Sequence, residues 1–330
     1  MNKNNVHWFK QAKFGMMVHW GLYSLPAGEW NGRRMDTIGE WTQSYFRIPN
    51  EEYATLASAF NPICFDAETW VQLAVDAGMQ YLVVTSKHHD GFAMFHSRVD
   101  AYNIFDATPF RRDVIAELAA ACQKYGLKLG VYYSQDLDWH EPDGGGYTNQ
   151  NGYPRLVTNS GMSWTNDWDF PDNERKDYSR CFERKIKPQV EELLRNYGDL
   201  CLIWFDTPLT LSMEQSTELF QLVKGLQPDC LVNSRLGNGL GDYRSMGDNV
   251  ISDDFMGDVL AETPATLNDT WGYKSFDQNW KSAQDVLRLK NHLNERGVNY
   301  LLNVGPDYLG RIPSPCIDIL REVGTNRVKM

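Results

Sequence analysis

The run Leu202-Ile203-Trp204-Phe205-Asp206 carries four apolar residues straight into a carboxylate. Apolar residues without polar alternation suit a parallel strand covered on both faces. A carboxylate at the carboxyl end of such a strand, in an α/β barrel, lies on the face where reacting groups gather. Taken alone, Asp206 reads equally as a nucleophile or as a turn residue, because Thr207-Pro208 follows at once. The same arrangement recurs along the chain. A first apolar run ends in His19-Trp20-Gly21, a second in Lys87-His88-His89-Asp90-Gly91-Phe92, a third in Tyr132-Tyr133-Ser134, and another in Asn233-Ser234-Arg235. A single histidine or tyrosine at a strand end is ordinarily a hydrogen-bonded structural residue. Five strand ends that carry His, Tyr, Trp, Asp or Arg are harder to assign to packing.

Two chemistries compete for this set. In the first, His19, His88, His89 and Asp206 ligate a metal that assists hydrolysis. Barrel metallohydrolases usually supply their first pair as His-x-His, so that both rings face inward. Here the histidines are adjacent, and strand alternation sends neighbours to opposite faces unless the strand has already broken into loop. The second chemistry is glycoside hydrolysis, which needs two carboxyl groups, hydrogen-bond donors for hydroxyls and aromatic faces for the sugar. The chain has all three, and this reading calls for no metal and no cofactor.

The elements that position these residues alternate in type. Strands are expected over 14–20, 81–86, 127–134, 200–206, 230–233 and 300–304. Helices are expected over 68–77, 113–125, 180–197, 213–226 and 283–296, with Gly78, Gly126, Gly198 and Gly297 as C-terminal stops. Strand-then-helix order means parallel strands joined by right-handed crossovers. The count and length favour a closed (β/α)8 barrel of TIM type, spanning residues 1–330 as one catalytic domain. No GxGxxG follows the first strand and no Walker loop occurs, so a nucleotide fold has little support.

A net charge of −11 over 330 residues argues against nucleic acid and against anionic lipid as partners. The 11 Trp, 16 Tyr and 15 Phe suit stacking on sugar rings and equally suit a large core. The six cysteines show no CxxC spacing, so neither a zinc site nor a disulfide framework is indicated. The polar N-terminus carries no signal core, and no apolar run approaches the length of a membrane span. A cytoplasmic location is expected for the chain as given.

These motifs, in this order, resemble the α-L-fucosidases of glycoside hydrolase family 29. The blocks are Phe14-Gly15 to His19-Trp20-Gly21, Lys87 to Phe92, Gly130 to Ser134, Trp204-Phe205-Asp206, Asn233-Ser234-Arg235, Trp271-Gly272-Tyr273 and Asn299 to Pro306. The resemblance implies a retaining, exo-acting α-L-fucosidase that takes fucosylated oligosaccharides or glycoconjugates. Asp206 then falls at the nucleophile position. His19, Glu40, Trp41, His88, His89, Tyr133, Trp204 and Arg235 fall where the family holds fucose, with Tyr133 preferred to Tyr132 because it is nearer the strand end. The acid/base is expected at Glu262, although Ala261-Glu262-Thr263-Pro264 lacks the Trp and Cys that flank this Glu in many relatives. Some relatives use a Glu further upstream, where this chain offers Asp242, Asp248, Asp253 and Asp254 instead. Family members commonly append a β-sandwich; the chain as given is expected to hold the catalytic barrel without it. The competing readings are a metal-dependent barrel hydrolase built on His19, His88 and His89, and a catalytically inactive fucose-binding barrel.

Overall fold

The computed structural model of the chain describes residues 3–148, 162–251, 253 and 259–327. Eight parallel strands form one sheet: β1 (Phe14–Val18), β2 (Tyr81–Lys87), β3 (Lys128–Tyr133), β4 (Leu202–Phe205), β5 (Leu231–Val232), β6 (Arg244–Ser245), β7 (Ala261–Thr266) and β8 (Val298–Val304). Their spatial order is β5-β4-β3-β2-β1-β8-β7-β6. The two ends of this row meet through a parallel bridge between Asn233 and Tyr243, reinforced by the Ser234 amide on the Tyr243 carbonyl at 2.8 Å. The sheet is thereby a closed (β/α)8 barrel, as the alternating order of strands and helices predicts.

The strands read as they do because both of their faces are covered. β2 and β8 bury all seven of their residues. One face supplies the barrel interior, where Met17, Val83, Leu202, Trp204 and Leu301 pack together. The other face packs under the outer helices α2 (Ala67–Asp76), α3 (Val114–Tyr125), α4 (Lys187–Asn196), α5 (Met213–Leu226), α6 (Ala283–Glu295) and α7 (Ser314–Arg327), while α1 (Lys3–Ala12) lies at the amino end of the barrel. α1 departs from this plan by sending Phe9 into the interior cluster, 4.6 Å from the Tyr243 ring. The Phe9 carbonyl accepts from Asn299 of β8, so the amino end of the barrel is plugged.

Two strands escape sequence reading. Arg244–Ser245 is two residues long, and Ala261–Thr266 contains a proline and two threonines rather than an apolar run. The helix expected from 180 also differs in form. It begins at Tyr178 and passes through a π-helical stretch, Phe182–Ile186, before α4. Such a stretch redirects the side chains within it, and it often marks a functional site. At the end of β2 the pairing with β3 slips between Thr85 and Lys87. That irregularity brings the adjacent His88 and His89 to the same side of the barrel.

Candidate active site

At the carboxyl ends of the strands lies a cavity of about 370 Å³, whose walls include His19, Glu40, His89, Asp206, Arg235 and Asp248. Asp206 leaves β4 with its carboxylate pointed inward and 14% exposed. Arg235 Nη1 donates to one carboxylate oxygen at 2.9 Å, and the Tyr132 hydroxyl donates to the other at 2.9 Å. His89 Nε2 stands 3.8 Å from that second oxygen. Burial works against ionisation here, but the Arg235 guanidinium and the hydrogen bonds from Arg235 and Tyr132 outweigh it and hold the carboxyl below its ordinary range. Asp206 is therefore a permanent carboxylate at neutral pH.

Its backbone is fixed just as closely. The Asp206 amide donates to Gln135 Oε1 at 2.8 Å, and the same Gln135 side chain donates to the Arg235 carbonyl at 2.9 Å. Asn233 brackets Phe205, donating to its carbonyl and accepting from its amide, both at 2.9 Å. Thr207, next in the chain, is held at φ 51°, a left-handed conformation that costs a β-branched residue energy. The loop beyond is clamped by Asp136, which accepts from the amides of Leu209, Thr210 and Leu211.

The histidines are neutral hydrogen-bond partners. Burial pushes His19 and His89 down to about 4, and pushes His88 well below its usual value. Asn303 donates to the Trp271 carbonyl at 2.8 Å, so its Oδ1 accepts from His19 Nδ1 at 2.7 Å. Ser134 donates to the Leu137 carbonyl at 2.8 Å and accepts from His89 Nδ1 at 2.7 Å. Both rings thus carry their proton on Nδ1 and leave Nε2 as an acceptor for a hydroxyl. Among the described residues, no group of three or more His, Cys, Asp or Glu is arranged to hold a metal ion.

The remaining walls are aromatic and acidic. Trp204 stacks on Tyr132 at 5.5 Å and carries the Arg235 guanidinium over its face at 4.6 Å. Trp41 meets His89 edge-on at 5.3 Å and leans on Trp139 and Trp164. Glu40 is 2% exposed and accepts from the Gly272 amide at 2.8 Å. Burial raises its carboxyl to about 7 despite that hydrogen bond. Asp248 is half-exposed and receives the second nitrogen, Nη2, of Arg235. One guanidinium therefore bridges Asp206 and Asp248 across the pocket.

Two expectations need correction. Tyr133 faces the helical layer, where its hydroxyl donates to Gln189 of α4 at 2.8 Å, and it is Tyr132 that reaches the pocket. Tyr132 pairs in register with Trp204, and Trp204 shares its face with Asp206 two residues on; strand alternation across that register puts all three inward. Glu262 is the second correction. It lies on β7, fully buried, and its carboxylate accepts from Trp204 Nε1 at 2.9 Å and from the Tyr81 hydroxyl at 2.5 Å. That places it beneath the Trp204 indole, inside the barrel and off the cavity wall, where no leaving group can reach it. Of the upstream aspartates, Asp242 is spent on the Val232 amide and Lys224, Asp253 meets His292 and Arg296 on the surface, and Asp254 lies outside the described residues. Asp248 stands in the pocket.

The sequence profile of the α-L-fucosidase family matches residues 1–326. Tissue α-L-fucosidase of Mus musculus is 38% identical over 331 residues, which cover 92% of this chain and 66% of that protein. The chain thus spans about two thirds of the curated relatives it matches: that of Rattus norvegicus, 29% identical, is covered over 64% of its length. Among solved structures, α-L-fucosidase AlfC from Lactobacillus casei in complex with α-L-fucose is 55% identical, covers 99% of both chains and superposes with a TM-score of 0.93. An α-L-fucosidase from Vibrio sp. strain EJY3 is 38% identical, with a TM-score of 0.91, covering 99% of this chain and 55% of that one. The chain belongs to the α-L-fucosidase family, glycoside hydrolase family 29.

Proposed function

We propose that the chain is a retaining, exo-acting α-L-fucosidase in which Asp206 is the nucleophile and Asp248 the general acid/base. The observation that carries this reading is the state of Asp206: an ionised carboxylate, inward-facing, braced by Arg235 and Tyr132 in a pocket whose other groups suit hydroxyls. Neutral His19 and His89 accept from sugar hydroxyls, and Trp41 at the rim offers an apolar wall to the ring. In the first step an Asp206 oxygen attacks the anomeric carbon, the glycosidic bond breaks, and a proton passes to the leaving oxygen. In the second, water attacks the same anomeric carbon, gives a proton to the acid/base, and the bond to Asp206 breaks, which frees its carboxylate. Asp248 suits this exchange because it is open to water and tied to Asp206 through a single guanidinium, so its charge is sensed at the nucleophile.

An aspartate-to-alanine mutant of AlfC has been solved with 4-nitrophenyl α-L-fucopyranoside, and another such complex holds Fucα(1,6)GlcNAc. Terminal α-fucosides, aryl or glycan, are accordingly the substrate class proposed here. The test is Asp206→Gly on the aryl fucoside. Release of nitrophenol should fall by at least about 10³-fold, and azide should restore part of it while forming the azido sugar. Activity that survives the substitution would remove Asp206 from the role.

A further inference from the structure

The barrel interior holds a carboxyl group for which the reaction above has no use. Glu262 sits on β7 at the register position shared with Asn299 of β8 and Ser245 of β6, and has no contact with solvent. Its neighbours reach it from several strands. The Tyr81 hydroxyl comes across the barrel from the start of β2, lying over Gly15 of β1, where any Cβ would collide with the tyrosine ring. Trp204 Nε1 comes from β4, and Tyr243, in the segment before β6, acts on it electrostatically. The Arg235 charge acts on it from the far side of the indole, and the Cys201 thiol lies within electrostatic reach ahead of β4.

A carboxylate is costly in such a place unless its oxygens are satisfied. Each Glu262 oxygen has a named donor. What the arrangement fixes is the indole. Trp204 touches both groups that brace the nucleophile: Arg235 lies over its face at 4.6 Å, and Tyr132 stacks on it at 5.5 Å and 19°. Its ring can rotate only by giving up the bond to Glu262 Oε1. We infer that Glu262 is a positioning residue of the fucosidase reaction, which anchors the Trp204 indole from beneath and through it holds Arg235 and Tyr132 against Asp206. This rests on the function proposed above.

The chemistry of the group supplies a distinctive readout. Burial raises the Glu262 carboxyl to about 7, against the pull of the Tyr81 and Trp204 hydrogen bonds. When ionised, it accepts from the Tyr81 hydroxyl and draws the indole N–H toward itself, which makes the ring face more negative beneath Arg235. When protonated, it must donate to one tyrosine oxygen and hold the indole more weakly. Glu262→Gln is a close mimic of the protonated form, because its carbonyl can accept from Trp204 while its amide donates to Tyr81.

The experiment is the pH dependence of kcat and KM for 4-nitrophenyl α-L-fucoside, wild type against Glu262→Gln. The two should agree within about twofold near pH 5 and diverge above about pH 7, where the variant's kcat falls about tenfold with KM unchanged. A ratio that stays constant across this range, or a loss confined to KM, overturns the inference. If Glu262→Gln does not fold, Trp204→Phe decides: without the indole N–H the neutral-pH bend of the wild-type profile should vanish, and its persistence contradicts the role. Failure of the function itself is separately visible, since wild-type protein would then not turn over the fucoside at any pH.

Discussion

Asp206 meets the two demands placed on a carboxylate that attacks carbon: ionisation despite burial, and an orientation fixed before substrate arrives. Arg235 provides the first, through a charge-assisted bond that outweighs desolvation. Tyr132 contributes to the second, and here adjacent residues separate cleanly. Tyr132→Phe removes a bond to the nucleophile and should lower kcat roughly 10–100-fold, the ordinary worth of a hydrogen bond to a charged group. Tyr133→Phe removes only the bond to Gln189 and should leave kcat unchanged while costing about 1 kcal/mol in denaturant unfolding. The reverse pattern would return Tyr133 to the site. The sequence could not choose between them from position alone, because two neighbouring tyrosines at a strand end are equivalent until the strand's register is known. Pairing with Trp204 supplies that register, and it belongs to the assembled sheet.

At the scale of elements, the loop that carries His88 and His89 is held from below by charges. Lys87, the last residue of β2, is fully buried and donates to Asp138 at 2.9 Å. Lys185, from the π-helical stretch before α4, meets the same Asp138 oxygen at 3.0 Å, Asp100 at 2.9 Å and the Gly91 carbonyl at 3.2 Å. Asp138→Asn leaves two buried ammonium groups short of their counter-charge and should destabilise the fold by about 3–5 kcal/mol, measured in urea at neutral pH. Burial opposes ionisation of Asp138, but both lysines outweigh it and hold its carboxyl far below the ordinary range. A depressed carboxylate stabilises above its unfolded value, so the penalty of the variant should be fully present at neutral pH and should shrink below about pH 4. An equal penalty at both ends would contradict the ion-pair account. Lys87 is part of the Lys-His-His-Asp-Gly-Phe signature, but its purpose is invisible in sequence. Its partner Asp138 stands 51 residues away along the chain, and Lys185, which shares that carboxylate, stands 98 away.

At the scale of the whole molecule, most of the barrel is legible because its strands are buried on both faces and four of its helices run into a glycine stop. β6 and β7 are not legible, since a two-residue strand has no pattern and Ala261-Glu262-Thr263-Pro264 reads as loop. That omission is why the sequence points to Glu262 for the acid/base role proposed above for Asp248. Once Glu262 is put on a strand it faces the barrel interior, and the half-exposed Asp248 is left opposite Asp206 at the pocket mouth. The site is thus divided between a rigid floor, made by strand ends and the interior beneath them, and a rim supplied by long loops that carry Glu40, Trp41, Trp164 and Asp248. Binding groups on the rim and the nucleophile on the floor suit a reaction that must release its product while keeping the attacking carboxylate in place. As the proposed nucleophile, the Asp206 carboxylate becomes covalently bonded to sugar during turnover. Incubation with a 2-deoxy-2-fluoro-L-fucosyl fluoride, followed by digestion and mass spectrometry, tests this directly. A single fluorofucosyl adduct is expected on the peptide that contains Asp206. An adduct on another carboxylate, or none while the fluoride is being hydrolysed, would contradict it.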